Sequence, residues 1–554
     1  MQNTQKPASA NCSNYLNIST PYKLFKRESE RDYYIDKSWM IEELRPYAYI
    51  CVARPRRFGK SIIASMIAAY LGKGTVSNDV FDTLEISKSK TYKESQNSQN
   101  VFYIVLNELP THCNSYKEYI DFITGNILSD LRNEYSDVIC ETDDPIVFLD
   151  KICEYKNETF VFVLDEWDYI FEASFVTNQD KKDYIVFLRN LLKGRPYVSM
   201  AYMTGILPIV KYSSGSDLNM FSEFTLASAT FSEFFGFSET EVDELFQRYM
   251  ANPAKYAKAV TRDDLRLWYS GYHTPIGERM YNPFSVANAL TRNQIGKYWI
   301  NSGPQDEIFR LIETNVSEIR LDIALMAAGE PVSFEFIENA ISPSKKIESR
   351  DEMLSAMAIY GLLSVIESGV IKSGLIESGV IKRKACIPNK EILAKFNSLL
   401  KKESSLGYVH ILASRSLEML NATLSMNTKM VCEILEERHN METPILSYSN
   451  ENELAAIVNL AYLSAHNDYM IVRENKAGKG FADLLFFPYN RTDDCIILEL
   501  KVDDTPENVI AQIKDKKYPL AFRNISRPYT GRIYLVGIAY CKDAKTHECK
   551  IEVM

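Results

Sequence analysis

Histidine is scarce in this chain, with six residues, and the ten cysteines fall singly, with no Cys-x-x-Cys pair. A zinc site needs clustered imidazoles or thiolates, and a small secreted scaffold needs paired cysteines. Neither is indicated, and the expectation is a reducing cytoplasm. His112 beside Cys113 reads as incidental. No apolar run approaches the roughly 20 residues that a membrane span needs. The opening MQNTQKPASANCSN lacks the apolar core of a secretory signal, so no membrane partner is expected. An excess of basic charge is missing too. The formal net charge is −10, which argues against a broad polyanion binder and requires any nucleic-acid contact to be concentrated.

What is present is a long chain with two informative stretches. Its 554 residues exceed a single core and imply several domains. In the first half, apolar runs alternate with helical stretches: AYICVA (Ala48–Ala53), VFYIVL (Val101–Leu106), TFVFVLDE (Thr159–Glu166) and VSMAYMTG (Val198–Gly205) are separated by Lys60–Leu71, Tyr116–Asn133 and Lys181–Leu192. Unbroken apolar strands alternating with helices mean a mostly parallel sheet covered on both faces. From Gly236 to about Leu400 the pattern is mostly helical, as in SETEVDELFQRYM and FEFIENAI. A repeat of IESGVIK at Ile366–Lys372 and Ile376–Lys382 interrupts it and reads as a hairpin or wing. The last hundred or so residues turn to strand patterning in MIVREN, FADLLFFP, CIILELKV and RIYLVGIAY.

The first informative stretch is RPRRFGKS, Arg54–Ser61, between an apolar strand and a helix. That is the setting of a phosphate-binding loop, although Arg54 stands where such a loop carries its first glycine. Amides at Arg57, Phe58 and Gly59 would cradle a phosphate, Lys60 would reach the β and γ oxygens of ATP, and Ser61 would ligate Mg²⁺. Taken alone, GKS reads equally well as a basic strand-to-helix turn. VLDEWD, Val163–Asp168, shifts the balance, because Asp165 at a strand end suits a Mg²⁺ contact and Glu166 a base that polarises water. Thr204 ends the next strand, where it would sense the γ-phosphate or simply close a turn.

The second stretch is GFADLLFFPYNRTDDCIILELKV, Gly480–Val502. Asp483 and Glu499 each lie eight residues from Arg491, so a hairpin folded there sets them side by side. Strand side chains alternate, which puts Lys501 on the face of Glu499. Two carboxylates and a lysine could hold Mg²⁺ or Mn²⁺, activate water and cleave a phosphodiester. The plain alternative is a solvated strand edge with a cross-strand ion pair. The apolar company of CIILEL weighs against it, since a buried carboxylate needs a metal or partner. Glu453, and Gln512 with Lys516 and Lys517 on a basic helix, are accessory candidates.

Six motifs carry a resemblance. YYIDKS (Tyr33–Ser38), RPRRFGKS, VLDEWD, MTGI (Met203–Ile206), WYSGY (Trp268–Tyr272) and YNPFSV (Tyr281–Val286) occur in the order seen in the AAA-ATPase-like family of predicted bacterial and archaeal proteins, itself similar to STAND and archaeal P-loop ATPases. The RPRRFGK form, with arginine in the first-glycine position, resembles that family's usual loop. D-x(n)-E-x-K resembles the PD-(D/E)XK nuclease superfamily, a domain that commonly follows such an ATPase. The resemblance implies an α/β chain in four parts: a P-loop domain (16–235), a helical and winged-helix-like region (236–400), a helical linker (401–450) and a restriction-endonuclease-like α/β domain (451–554). It implies ATP as ligand, DNA as partner, and ATP-driven rearrangement or self-assembly, in defence or mobile-element biology. A rival reading is a nucleotide-switched scaffold whose nuclease-like domain is inactive and binds.

Overall fold

The computed structural model describes residues 13–209, 218–252, 257–301, 316–327, 329–337, 340, 347–366, 382–402, 408–436, 451–477, 480–523 and 528–554. The IESGVIK repeat falls mainly outside them. Two compact units are present: Met1–Ile308 with Phe334–Glu391, and Phe309–Ser333 with Ile392–Met554.

In the first unit, five strands form one parallel sheet: β1 (Tyr49–Ala53), β2 (Asn100–Val105), β3 (Phe160–Asp165), β4 (Val198–Gly205) and β5 (Ser222–Phe224), in the order β2-β3-β4-β1-β5. Side chains alternate between faces along each strand. Phe160, Phe162 and Leu164 therefore join one core with α2 (Tyr116–Glu134), α3 (Pro145–Lys156) and α4 (Asn178–Leu192). Val161 and Val163 join the other with Ile50, Val52 and α1 (Lys60–Leu71). Both faces being apolar is why the strands read as unbroken hydrophobic runs.

The sheet's topology sets the site. Because β1 sits between β4 and β5, the loop after it opens beside the ends of β3 and β4. The β4 end is tightly packed there. A methyl group on Gly205 would lie 2.4 Å from Asp168 Oδ1 and 2.7 Å from Trp167 Cδ1. Both neighbours are buried, so Gly205→Ala is expected to cost about 3 kcal/mol by overpacking. Urea unfolding measures it, and a loss below about 0.5 kcal/mol would contradict the packing described.

Beyond the sheet, helices Glu239–Ala251, Arg262–Tyr269 and Pro283–Arg292 enclose a smaller core around Leu245, Leu265 and Tyr281. Capping boxes start the first two, at Ser238 and Thr261. The helix expected over FEFIENAI is instead a strand in part, Val332–Glu335, where Val332 and Phe334 are buried and Ser333 and Glu335 exposed. A period of two, not 3.6, governs those residues.

The second unit carries a mixed sheet of β6 (Tyr469–Ala477), β7 (Gly480–Pro488), β8 (Cys495–Val502), β9 (Ile533–Cys541) and β10 (Thr546–Val553), paired in that order. All neighbours are antiparallel except β8 and β9, which run parallel across α5 (Pro506–Asp515). No described helix is long and apolar enough to cross a membrane. All nine described cysteines are free thiols.

Candidate active sites

The phosphate loop leaves β1 at Ala53 and enters α1 at Lys60. Arg57 (φ 69°) and Gly59 (φ 92°) both take left-handed backbone, which turns successive amides toward one point. Glycine is favoured at 59 by its conformation, which side-chain-bearing residues rarely adopt, and not by crowding, since the space beside it is open. Phe58 is buried edge-on against Tyr272, ring centroids 4.9 Å apart, and anchors the loop's far side.

Lys60 is only 4 % exposed, and its ammonium donates to the Pro55 carbonyl at 3.0 Å. Burial lowers its pKa, opposed by the negative charge of Glu166, Asp168 and Asp165. Asp165 is 2 % exposed; burial pushes its pKa up to about 6, opposed by the neighbouring Ser61 hydroxyl and the Lys60 charge. The structure thus brings Lys60, Ser61 and Asp165 together, with Glu166 next to them. Glu166 takes left-handed backbone (φ 56°), with its N–H turned back onto Asp165 Oδ1 at 3.0 Å. A cavity of about 770 Å³ opens onto Arg57–Ser61 and Glu166. Its apolar walls include Tyr34, Phe237 and Phe284.

Thr204 does not open onto that cavity. It is fully buried, and its hydroxyl donates to the Val52 carbonyl at 3.1 Å, inside the sheet. Arg54 is also interior. Its guanidinium donates to the carbonyls of Phe224 (2.8 Å) and Ala53 (3.0 Å) and lies over the Phe235 ring. Burial pushes its pKa down to about 10. The residue in the first-glycine position therefore fastens β1 to the short β5, and its side chain turns away from the loop's phosphate face. Arg57 stacks on Phe284 at 4.8 Å.

Sequence reasoning gave no role to Asp168, the third acid of LDEWD. Its buried carboxylate accepts the Ile206 and Leu207 amides at 2.8 and 2.7 Å, and burial raises its pKa to about 6. It braces the turn after β4.

In the second unit, β7 and β8 pair Leu484 with Leu498, Leu485 with Ile497 and Phe486 with Ile496, a hairpin centred on Arg491. Asp483 and Glu499 meet at the next step. There each carboxylate takes a backbone amide: Glu499 Oε2 accepts the Asp483 N–H at 3.2 Å, and Asp483 Oδ2 accepts the Leu500 N–H at 2.8 Å. The regular ladder gives way to side-chain acceptors at the point where the acids converge. Glu499 is 1 % exposed and Leu500, pointing the other way, is fully buried. Lys501 lies partly exposed one step beyond.

Gln512 on α5 donates to Glu499 Oε1. The helix ends at Asp515, so Lys516 and Lys517 lie past its end, the latter in left-handed backbone (φ 59°), and not on a basic helical face. Tyr518, which the sequence did not single out, is buried beside this group; burial raises its pKa, opposed by the neighbouring Gln512 and Lys501. Glu453 lies in the helix Glu451–Ala461, with its side chain outside the described residues.

Among the described residues no three His, Cys, Asp or Glu side chains converge. Two hard carboxylates from adjacent strands nonetheless suit a Mg²⁺ or Mn²⁺ ion completed by water. Ser61 with Asp165 suits Mg²⁺ at the loop in the same way.

Residues 22–214 match the family model described as a predicted AAA-ATPase. Residues 449–550 match that of the PD-(D/E)XK nuclease superfamily. Over 299 residues the chain is 24 % identical to an uncharacterized protein in the vnfD 5′ region of Azotobacter chroococcum mcd 1. That match takes in 50 % of this chain and 52 % of the relative, so the chain spans about half the length of the curated protein it resembles. Of solved structures, the Walker-type ATPase of Pyrococcus abyssi is 12 % identical with a TM-score of 0.33, over 65 % of this chain and 93 % of its own. Cdc6p from Pyrobaculum aerophilum is 11 % identical with a TM-score of 0.27, over 70 % and 100 %. The chain carries an AAA-ATPase-like domain in its first half and a PD-(D/E)XK nuclease superfamily domain at residues 449–550.

Proposed function

We propose that the chain binds and hydrolyses ATP and, under that control, cleaves DNA with a divalent metal. The observation that carries the reading is the presence in one chain of Lys60, Ser61 and Asp165 joined at a phosphate loop and of Asp483 and Glu499 joined on adjacent strands.

At the first site, Lys60 leaves the Pro55 carbonyl for the β and γ oxygens, and Ser61 and Asp165 are the residues that would hold Mg²⁺. The ion, when bound, would supply charge neutralisation to the phosphates. Glu166 orients and polarises the attacking water. At the second, Asp483 and Glu499 would hold Mg²⁺ or Mn²⁺, and the ion would supply Lewis acidity and lower the pKa of a bound water. Gln512 fixes the Glu499 carboxylate, and Lys501 orients the water. The helical region (236–400) and linker (401–450) relay the nucleotide state, by rearrangement or by assembly of copies of the chain.

One observation favours the binding-only alternative: both carboxylates already take backbone amides, and Gln512 holds a third oxygen. A nicking assay on supercoiled plasmid with Mn²⁺ or Mg²⁺, with and without ATP, separates the two. Metal-dependent nicking that ATP alters by about tenfold or more, roughly 1.4 kcal/mol of coupling, is expected. No nicking with either metal on plasmid, linear or single-stranded DNA sinks the nuclease half. Nicking indifferent to ATP sinks the coupling.

A further inference from the structure

The run Arg54–Phe58 is held at each residue by a different part of the chain. Arg54 binds the end of β5, Arg57 stacks on Phe284 and Phe58 packs on Tyr272. Pro55 lies against Gly361, where an added Cβ would be 2.7 Å from the proline Cβ. Arg56 donates to Glu172 Oε2 at 3.0 Å, and the other oxygen of that carboxylate accepts the Tyr360 hydroxyl at 3.2 Å. Arg56 also opens onto the cavity that Gly59, Lys60 and Ser61 line, and its charge reaches Lys60.

We propose that Arg56 is a ligand of the terminal phosphate of a bound nucleoside triphosphate, and that Glu172, which otherwise holds it, passes the exchange to the turn Tyr360–Leu363. This rests on the nucleotide reading given above. The Arg56 and Glu172 side chains are 29 % and 24 % exposed, so their attraction is less screened than that of a surface pair. A terminal phosphate offers a guanidinium more charge and a bidentate partner than one carboxylate oxygen does. When Arg56 swings to it, Glu172 loses a cation and the Tyr360 hydroxyl loses a fixed acceptor.

That turn is placed to respond. Gly361 takes left-handed backbone (φ 84°), and its carbonyl accepts the Tyr272 hydroxyl at 3.1 Å, the same tyrosine that packs on Phe58. Loop and turn are therefore joined through Pro55, Phe58 and Arg56 at once. ADP, lacking the terminal phosphate, leaves Arg56 with Glu172.

Calorimetric titration of ATP and ADP with Mg²⁺ into wild type, Arg56→Gln, Arg56→Lys and Glu172→Gln tests the ligand assignment. Arg56→Gln is expected to weaken ATP about tenfold or more while changing ADP less than about threefold. Arg56→Lys regains part of the loss, and Glu172→Gln raises the preference for ATP over ADP. Equal weakening of both nucleotides by Arg56→Gln, or an unchanged preference in Glu172→Gln, overturns it. Amide exchange across residues 360–366 tests the relay, with Tyr360→Phe as a variant that keeps both charges. ATP but not ADP should speed exchange in wild type, and the difference should vanish in Arg56→Gln and shrink in Tyr360→Phe. The same exchange with both nucleotides in wild type removes the relay. Binding of neither nucleotide by wild type would instead remove the nucleotide reading itself, whereas binding of both with no dependence on Arg56 removes this inference alone.

Discussion

Lys60→Met is expected to lower ATP turnover by roughly 10²–10³-fold, the usual loss when one preorganised charge is withdrawn from a developing anion. Three features of the structure set that scale. The ammonium is nearly buried, so burial already lowers its pKa and its interactions are poorly screened. Its present acceptor, the Pro55 carbonyl, is neutral and yields to phosphate. Glu166, Asp168 and Asp165 all act on it electrostatically, so its charge is held at the loop's centre by the acids that flank the site. Methionine keeps the stem's volume but leaves those carboxylates without their cation. A melting curve must therefore accompany the assay, with Ser61→Ala as a milder variant that touches only the metal side. A phosphate-release assay reads turnover. Turnover within threefold of wild type in a folded Lys60→Met protein would remove the phosphate-loop assignment.

Glu499→Gln should abolish nicking, by roughly 10³-fold or more, with melting temperature unchanged or raised. The two effects have different origins. A carboxylate that is 1 % exposed is costly to keep charged unless partners or a metal answer it. Glutamine has the same shape and can still accept the Asp483 amide, while its N–H meets Gln512 once that amide turns over to present its oxygen. What it lacks is the anionic oxygen that a hard divalent ion requires. Lys501→Ala removes no ligand and should lower nicking while leaving Mn²⁺ affinity within about threefold. Plasmid nicking and Mn²⁺ calorimetry separate the roles. Glu499→Gln protein that nicks at the wild-type rate would move the metal elsewhere.

Much of this was legible because apolar strands and their punctuation are local. VSMAYMTG is β4 from end to end, and α1 runs Lys60–Leu71 as its sequence suggests. The acids of the second unit are legible from their spacing, since a hairpin's register is set by its centre. Residues whose partners lie far along the chain were not legible. Nothing around Arg54 tells that Phe224, 170 residues on, takes its guanidinium. The strand-end place of Thr204 suits a sensor or a turn equally, and only the fold tells that Val52 takes its hydroxyl. The strand β5 is three residues long and has no pattern to read. Tyr518 follows the helix end, and nothing in the lysine-rich stretch before it marks it as buried beside Glu499.

Those separations also order the chain's maturation. The contact of Asp483 with Glu499 spans 16 residues and forms within one hairpin. The contact of Val52 with Thr204 spans 152, with two strands to be laid down between them. Loop closure favours the near pair, so the carboxylate hairpin forms quickly once its strands exist, whereas the phosphate loop waits for most of its domain. During synthesis the order reverses, because the first unit's sheet leaves the ribosome long before residue 483. A nascent chain would thus complete its phosphate-loop fold well before the Asp483–Glu499 hairpin exists.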